Sequence, residues 1–191
     1  MKRGVRSVTT AGMQGADMPI YTKTGDQGET AVWGNKRMKK NHPIIEANGA
    51  IDEFTSMIGV VITEIPDLSP TLTKVQKDLY EIMAYLAQSP ISLQSLNKRT
   101  GEMERKIDEL EKTLPALSSF ILPQGTKESS WLNLLRSTCR RAERNVVAVE
   151  ESYVKIDISV LSYLNRLSDY LYMLSRKYNS KEEIKITKLK K

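Results

Sequence analysis

Apolar residues recur at intervals of three and four along most of the chain, and this spacing narrows the available folds more than any other feature. Between Pro43 and Ile65 the stripe is Ile44, Ala47, Ile51, Phe54, Ile58, Val61 and Ile65. Thr71 to Gln88 carries Leu72, Val75, Leu79, Ile82 and Leu86. Glu102 to Lys112 has Met103, Ile107 and Leu110, with Leu114 just beyond. Trp131 to Glu150 has Leu135, Cys139, Ala142 and Val146; Asp157 to Tyr178 has Val160, Leu164, Leu167, Leu171, Leu174 and Tyr178. Such spacing puts each set on one face of an α-helix. Pro66 ends the first helix and Pro90 closes the second. Residues 91–99 read as a connection or a short helix. Short links between five amphipathic helices predict an all-α fold, a five-helix bundle.

With 191 residues the chain can bury one sizeable core. Residues 18–179 read as one helical domain with a polar loop at 20–37, flanked by a flexible N-terminal tail at 1–17 and a basic C-terminal tail at 180–191. The net charge of +6 lies mostly in those ends: +2 in residues 1–17, +3 in residues 180–191, and +1 in the body. Charge placed so, with few aromatic residues and no nucleic-acid-binding motif, argues against a nucleic-acid partner. No apolar run approaches the ~18 residues of a membrane span. Residues 1–17 have no apolar segment of the secretory type. Cys139 is the only cysteine, so no intrachain disulfide can form. These features predict a cytoplasmic protein.

The loop IYTKTGDQGETAVWGNK, Ile20 to Lys36, is too polar for a helix. Gly25, Gly28 and Gly34 permit positive φ and close approach to a ligand. Thr22, Thr24 and Thr30 supply hydroxyls; Lys23 and Lys36 supply charge. Backbone N–H groups, hydroxyls and ammonium groups together suit phosphates. The loop matches neither the Walker pattern nor GxGxxG, and an ordinary turn between short extended segments is the competing reading.

On the helix from Trp131, the residues Arg136, Arg140 and Glu143 fall at i, i+4 and i+7, within roughly 60° of arc. Guanidinium groups fit phosphate oxygens through paired hydrogen bonds and stay charged. A solvated face laced by ion pairs is the alternative. Asn48 and Asp52 are one turn apart beside the first apolar stripe, where Asp52 is either an exposed charge or a partly buried partner for an arginine. Asn165 lies at the margin of the last stripe. Phe120-Ile121-Leu122, in the loop before Pro123, needs burial, either on the bundle or as the wall of a ligand pocket.

The segments TKTGDQGET, IEANGAIDEFTSMIG, FILPQG, LRSTCRRAER and YLNRLSDYLYMLSR, in that order between Tyr21 and Asn179, resemble the signature segments of the PduO-type ATP:cob(I)alamin adenosyltransferases. The resemblance implies a ferritin-like five-helix bundle assembling as a homotrimer, with active sites between subunits. One subunit would give the ATP loop and its neighbour the arginine helix. It implies ATP with Mg²⁺ held by Thr22, Lys23, Thr24, Gly25, Gly28, Lys36 and Arg140, with Glu143 and Asn165 placing the nucleotide. The magnesium would ride on the phosphates, with no dedicated protein ligands. Asp52 and Arg136 would form an ion pair on the corrinoid side, and Phe120 would sit below the corrin ring, so that Arg140, Asp52, Arg136 and Phe120 carry catalysis. The implied reaction moves the 5′-deoxyadenosyl group of ATP to the cobalt of cob(I)alamin, giving adenosylcobalamin and triphosphate. A flavin-type reductase and an adenosylcobalamin-dependent enzyme are the implied partners.

Three positions depart from the family pattern. Gln124 stands where FILPGG has glycine, Asn35 follows Gly34 in place of a second glycine, and Trp131 replaces a small residue. A non-catalytic corrinoid escort is the alternative function, although it would have no need of a phosphate loop. A ferritin-type di-metal site needs two Glu-x-x-His motifs, and the chain has one histidine, His42.

Overall fold

The computed structural model describes residues 20–179 together with 183 and 184. The expected tail at 1–17, and all of the expected tail at 180–191 except Glu183 and Ile184, lie outside the described residues. Five α-helices follow a short β-hairpin: β1 (Glu29–Ala31), β2 (Arg37–Lys39), α1 (Pro43–Glu64), α2 (Ser69–Leu86), α3 (Gln94–Thr113), α4 (Lys127–Ser152) and α5 (Ile158–Asn179). Among these residues no helix is long and apolar enough to cross a membrane.

The helix ends follow local chemistry. Pro43 opens α1, and the His42 ring nitrogen accepts from the Ile44 N–H at 3.2 Å. Thr126 caps α4 by accepting from the Ser129 N–H at 3.1 Å. Asp157 accepts from the Ser159 N–H at 2.9 Å at the start of α5. The third helix is the one substantial correction. It begins at Gln94, so within 91–99, expected as a connection or a short helix, residues 94–99 are the start of one continuous α3. Their apolar content is thin, but Leu96 is fully buried and fixes them to the core.

In the bundle, α1 packs on α2 and α4, and α5 packs on α4 and α3. The predicted stripe of α4 is buried completely: Leu135, Cys139, Ala142 and Val146 are each 0% exposed. Burial pushes the Cys139 thiol up, which keeps it protonated. Between α2, α3 and α5, Asp78 accepts from the Tyr163 hydroxyl at 2.7 Å and pairs with Arg99, which also reaches Glu81 at 2.9 Å. Desolvation raises the Asp78 pKa against these compensating contacts. The network lines a cavity of about 300 Å³ that holds none of the predicted site residues.

Candidate functional site

The 20–42 segment is a loop and hairpin held together mainly by itself. Strand register pairs Glu29 with Lys39 and Ala31 with Arg37. Arg37 donates to the Thr24 carbonyl at 2.6 Å and to Glu29 at 3.1 Å, and the Thr22 and Thr24 hydroxyls are 2.8 Å apart. Toward the bundle, Trp33 N–H donates to the Ala87 carbonyl at 3.3 Å and Lys36 to the Gln88 side chain at 3.2 Å. Positive φ falls at Gly28 (80°), Gly34 (76°) and Lys23 (59°). Gly25 does not use that freedom; Lys23, a residue that adopts it rarely, does. Thr22, Lys23, Thr24, Gly28 and Lys36 are exposed, although the Gly28 N–H donates to the Gly25 carbonyl at 3.3 Å.

The polar face of α4 offers guanidinium groups with few partners. Among the described residues only Arg141 of the four arginines forms an ion pair, with Glu53 of α1. Arg140 is exposed and has no hydrogen bond or ion pair there, and Arg136 has a buried Nε without a partner. The Arg136 guanidinium lies 5.9 Å from the centre of the Tyr172 ring, within reach of a cation–π interaction. Glu143 turns from the arginines and accepts from the Asn165 side chain at 3.0 Å. Glu143 and Asn165 line a groove of about 400 Å³ between α3, α4 and α5. At a rise of 1.5 Å per residue, Arg136 and Glu143 stand about 10 Å apart along the axis. Intrahelical ion pairing, the alternative to an anion-binding row, is thus absent for Arg136, Arg140 and Glu143.

Phe120 projects from the loop between α3 and α4 and is 84% exposed. Leaving such a ring in water forgoes about 1.5–3 kcal/mol of burial. Its neighbour Ile121 is half-buried, so the apolar triplet is split between packing and display. Ile121 and Leu122 share a seam with Asn133 of α4 and Tyr172 of α5. Asn133 is one turn from Arg136 and Tyr172 lies under its guanidinium, so the loop lies beside the N-terminal half of α4, near that arginine.

Asp52 is elsewhere. It is exposed and lines an open groove of about 570 Å³ with Asn48, Thr30, Val32 and Tyr80. Within one chain no ion pair joins it to Arg136. The reason is rotation: Glu53 faces α4 and takes Arg141, and Asp52 is turned ~100° away. Asn48 faces the same groove, and its Oδ1 is buried without a partner. The site residues therefore fall into two half-sites. Asp52 and the loop lie against α1 and α2; Arg136, Arg140, Glu143, Asn165 and Phe120 lie along α4, α5 and the loop between α3 and α4.

Sequence reading missed Arg176 and Asn179 at the end of α5, which are 4% and 2% exposed. A cation in the last turn of a helix ordinarily sits in solvent. The sequence signal was only their place beside Leu174 and Tyr178, on the buried margin of the stripe. Asp78 was also missed, although it lies three residues after Val75 and four before Ile82, on a buried face.

Fold and half-sites together define a helical-bundle protein that presents Arg136 and Arg140 without ion pairs among the described residues, an exposed aromatic loop and an exposed Gly/Thr/Lys loop. The sequence profile of the cobalamin adenosyltransferase family matches residues 20–178, and the chain belongs to that family. It is 38% identical over 177 residues to the corrinoid adenosyltransferase of Bacillus subtilis, covering 87% of this chain and 90% of that protein. It is 37% identical over 175 residues to the corrinoid adenosyltransferase MMAB of Bos taurus, covering 85% and 72%. A solved variant of the PduO-type ATP:corrinoid adenosyltransferase of Lactobacillus reuteri, complexed with cobalamin and ATP, superposes with a TM-score of 0.80 at 32% identity, covering 90% of this chain and 100% of that one.

Proposed function

We propose that this protein is an ATP:corrinoid adenosyltransferase, transferring the 5′-deoxyadenosyl group of ATP to the cobalt of cob(I)alamin. The observation that carries the reading is the Arg136–Arg140 face, without an ion pair among the described residues, on a helix whose apolar stripe is fully buried, in a chain whose relatives are corrinoid adenosyltransferases. The Co(I) lone pair attacks C5′, the C5′–O bond breaks, and triphosphate leaves with the bonding electrons. No general base is required, in keeping with His42 being spent on capping α1. Negative charge grows on the leaving oxygen, so Arg140 and the donors of Thr22, Lys23, Thr24, Gly25, Gly28 and Lys36 act where charge develops. Glu143, held by Asn165, orients the nucleoside.

Among the described residues no three Asp, Glu, His or Cys side chains come together as a metal site. Magnesium would enter as the counter-ion of the phosphates, and the hydroxyls of Thr22 and Thr24 are oxygen donors available on the loop.

The half-sites on one chain do not meet, and this favours an active site shared between copies. The loop and Asp52 of one subunit would close on Arg140 and Arg136 of its neighbour, in a homotrimer. The exposure of Ile20 (103%), Tyr21 (72%) and Phe120 (84%) fits surfaces covered on assembly or on substrate binding. Phe120 serves the reduction that precedes transfer: an apolar ring below the corrin excludes an axial donor. Loss of that donor lowers the cobalt orbital that must accept the electron. A flavin-type reductase supplies the electron, an adenosylcobalamin-dependent enzyme takes the product, and the cytoplasm is the setting.

Incubation of the protein with cob(I)alamin and Mg-ATP should yield adenosylcobalamin and triphosphate in equal amounts. Product no faster than the protein-free blank would end the proposal. Tight corrinoid binding without ATP cleavage would favour an escort instead.

A further inference from the structure

We propose that Arg176 and Asn179 are positioning residues that hold the Phe120 loop for the reduction step. The role presupposes the adenosyl-transfer reading above. The loop from Pro115 to Thr126 has no regular secondary structure beyond an isolated bridge residue at Ile121, yet it is fastened from end to end by the last turn of α5 and the residues that follow. Arg176 donates to the Pro115 carbonyl at 2.7 Å. Leu122 N–H donates to the Ile184 carbonyl at 3.0 Å. Asn179 donates to the Gln124 carbonyl at 2.9 Å and accepts from the Thr126 N–H at 3.2 Å. The Thr126 hydroxyl donates to the Tyr178 carbonyl at 3.2 Å. Phe120 hangs between these ties.

The clamp is built, since both key side chains are buried. Arg176 also donates to Glu183 at 2.9 Å, in a pair whose side chains are only 5% and 7% exposed. A buried ion pair gives little net stability but specifies one geometry. Asn179 uses both ends of its amide on one loop, which sets the loop's height as well as its attachment. Gly125 completes the fit. Its φ is 126°, and a Cβ there would overlap the Asn179 carboxamide, so the loop backbone lies directly against that amide. None of these groups lies on the arginine face of α4. Their shared effect is to fix the two stems between which an exposed aromatic ring must meet the corrin at a set height.

Two assays separate this role from general stability: turnover from cob(II)alamin with dihydroflavin as the electron donor, and turnover from cob(I)alamin reduced beforehand. Asn179→Ala should slow the first about fivefold or more relative to the second, within the ~10²-fold that ångström-scale misplacement can cost. Its KM for ATP should not change. Hydrogen exchange over residues 118–126 should accelerate while that of the α4 core does not. Arg176→Lys, which keeps the charge facing Glu183, should give the same imbalance at smaller size and carries the test if the first variant does not fold. In a Phe120→Ala background, Asn179→Ala should leave the ratio of the two rates unchanged, because both act through one ring. Parallel losses in the two assays, or a further change of ratio without Phe120, would overturn the clamp. A wild-type protein inactive in both assays would overturn the reaction reading, and the clamp with it.

Discussion

The two loops assigned to the proposed site are held in opposite ways. The 20–42 loop is braced by its own hairpin and reaches the bundle through a few exposed bonds near the end of α2. The 115–126 loop has no hairpin but is fastened by buried side chains of α5. The difference matches what each would do in the proposed reaction. A segment that wraps phosphates gains its order from strong charge-assisted bonds formed with the ligand. An apolar ring gains nothing directional from its ligand, so its position has to be fixed beforehand by the protein.

The sharpest test of the contrast is on the rigid arginine face, which both loops would serve in the proposed shared site. Arg140→Ala should cut turnover about 10²–10³-fold, the usual cost of removing one preorganised donor. Because Arg140 is exposed and has no partner among the described residues, the melting temperature should hold. Thermal scans beside steady-state rates check both halves, and a large fall in melting temperature would mean that the arginine has a structural role.

Phe120→Ala probes the pre-positioned loop. Losing an apolar contact worth about 1.5–3 kcal/mol should slow turnover from cob(II)alamin by about 10–100-fold, at 1.4 kcal/mol per decade. Turnover from preformed cob(I)alamin should suffer far less. Equal losses in the two assays would remove the distinction between the loops.

Gly28→Ala probes the ligand-ordered loop. At φ 80° a side chain has open space around it but a strained backbone, costing about 1–2 kcal/mol. The expected result is a several-fold rise in KM for ATP with kcat nearly unchanged, as for a loss of uniform binding. A matching fall in kcat would show that this loop, too, is set before ATP arrives.

The smallest effect is expected at Asp157, which starts the helix carrying Asn165 and the clamp. Its pKa is lowered from 3.8 by hydrogen bonds to Ser159, the backbone N–H first. A carboxylate with a lowered folded-state pKa stabilises the fold above its unfolded pKa, and that stability is lost as pH falls through the folded value. Asp157→Ala should therefore cost about 1 kcal/mol near neutral pH, as for other caps. The gap to wild type should close below pH 3.8, as read by urea denaturation at each pH.

The sequence carried the bundle because helix period and apolar stripe are local properties. The stripe Leu135, Cys139, Ala142 and Val146 became wholly buried, and Pro43 and Pro66 marked the ends of α1. It left 91–99 open between a connection and a short helix, because the apolar signal there is sparse: Leu96 is the apolar residue of 94–99 that reaches the core. For the site, the ordered motifs named the residues but could not say which share a face. The resemblance pairs Asp52 with Arg136; within one chain the two stand apart, and Glu53, beside Asp52, is the carboxylate that meets α4 through Arg141.

What the sequence determined by itself was the helical period, the apolar faces and the chemistry available: guanidinium row, hydroxyl-rich loop and lone aromatic in FILPQG. Only the tertiary structure decided that Arg140 has no partner among the described residues, that the half-sites sit apart on one chain, and that Arg176 and Asn179 reach back more than fifty residues to hold a loop. Periodicity is a property of neighbours in the chain, whereas pairing and burial depend on which surfaces meet once the helices pack.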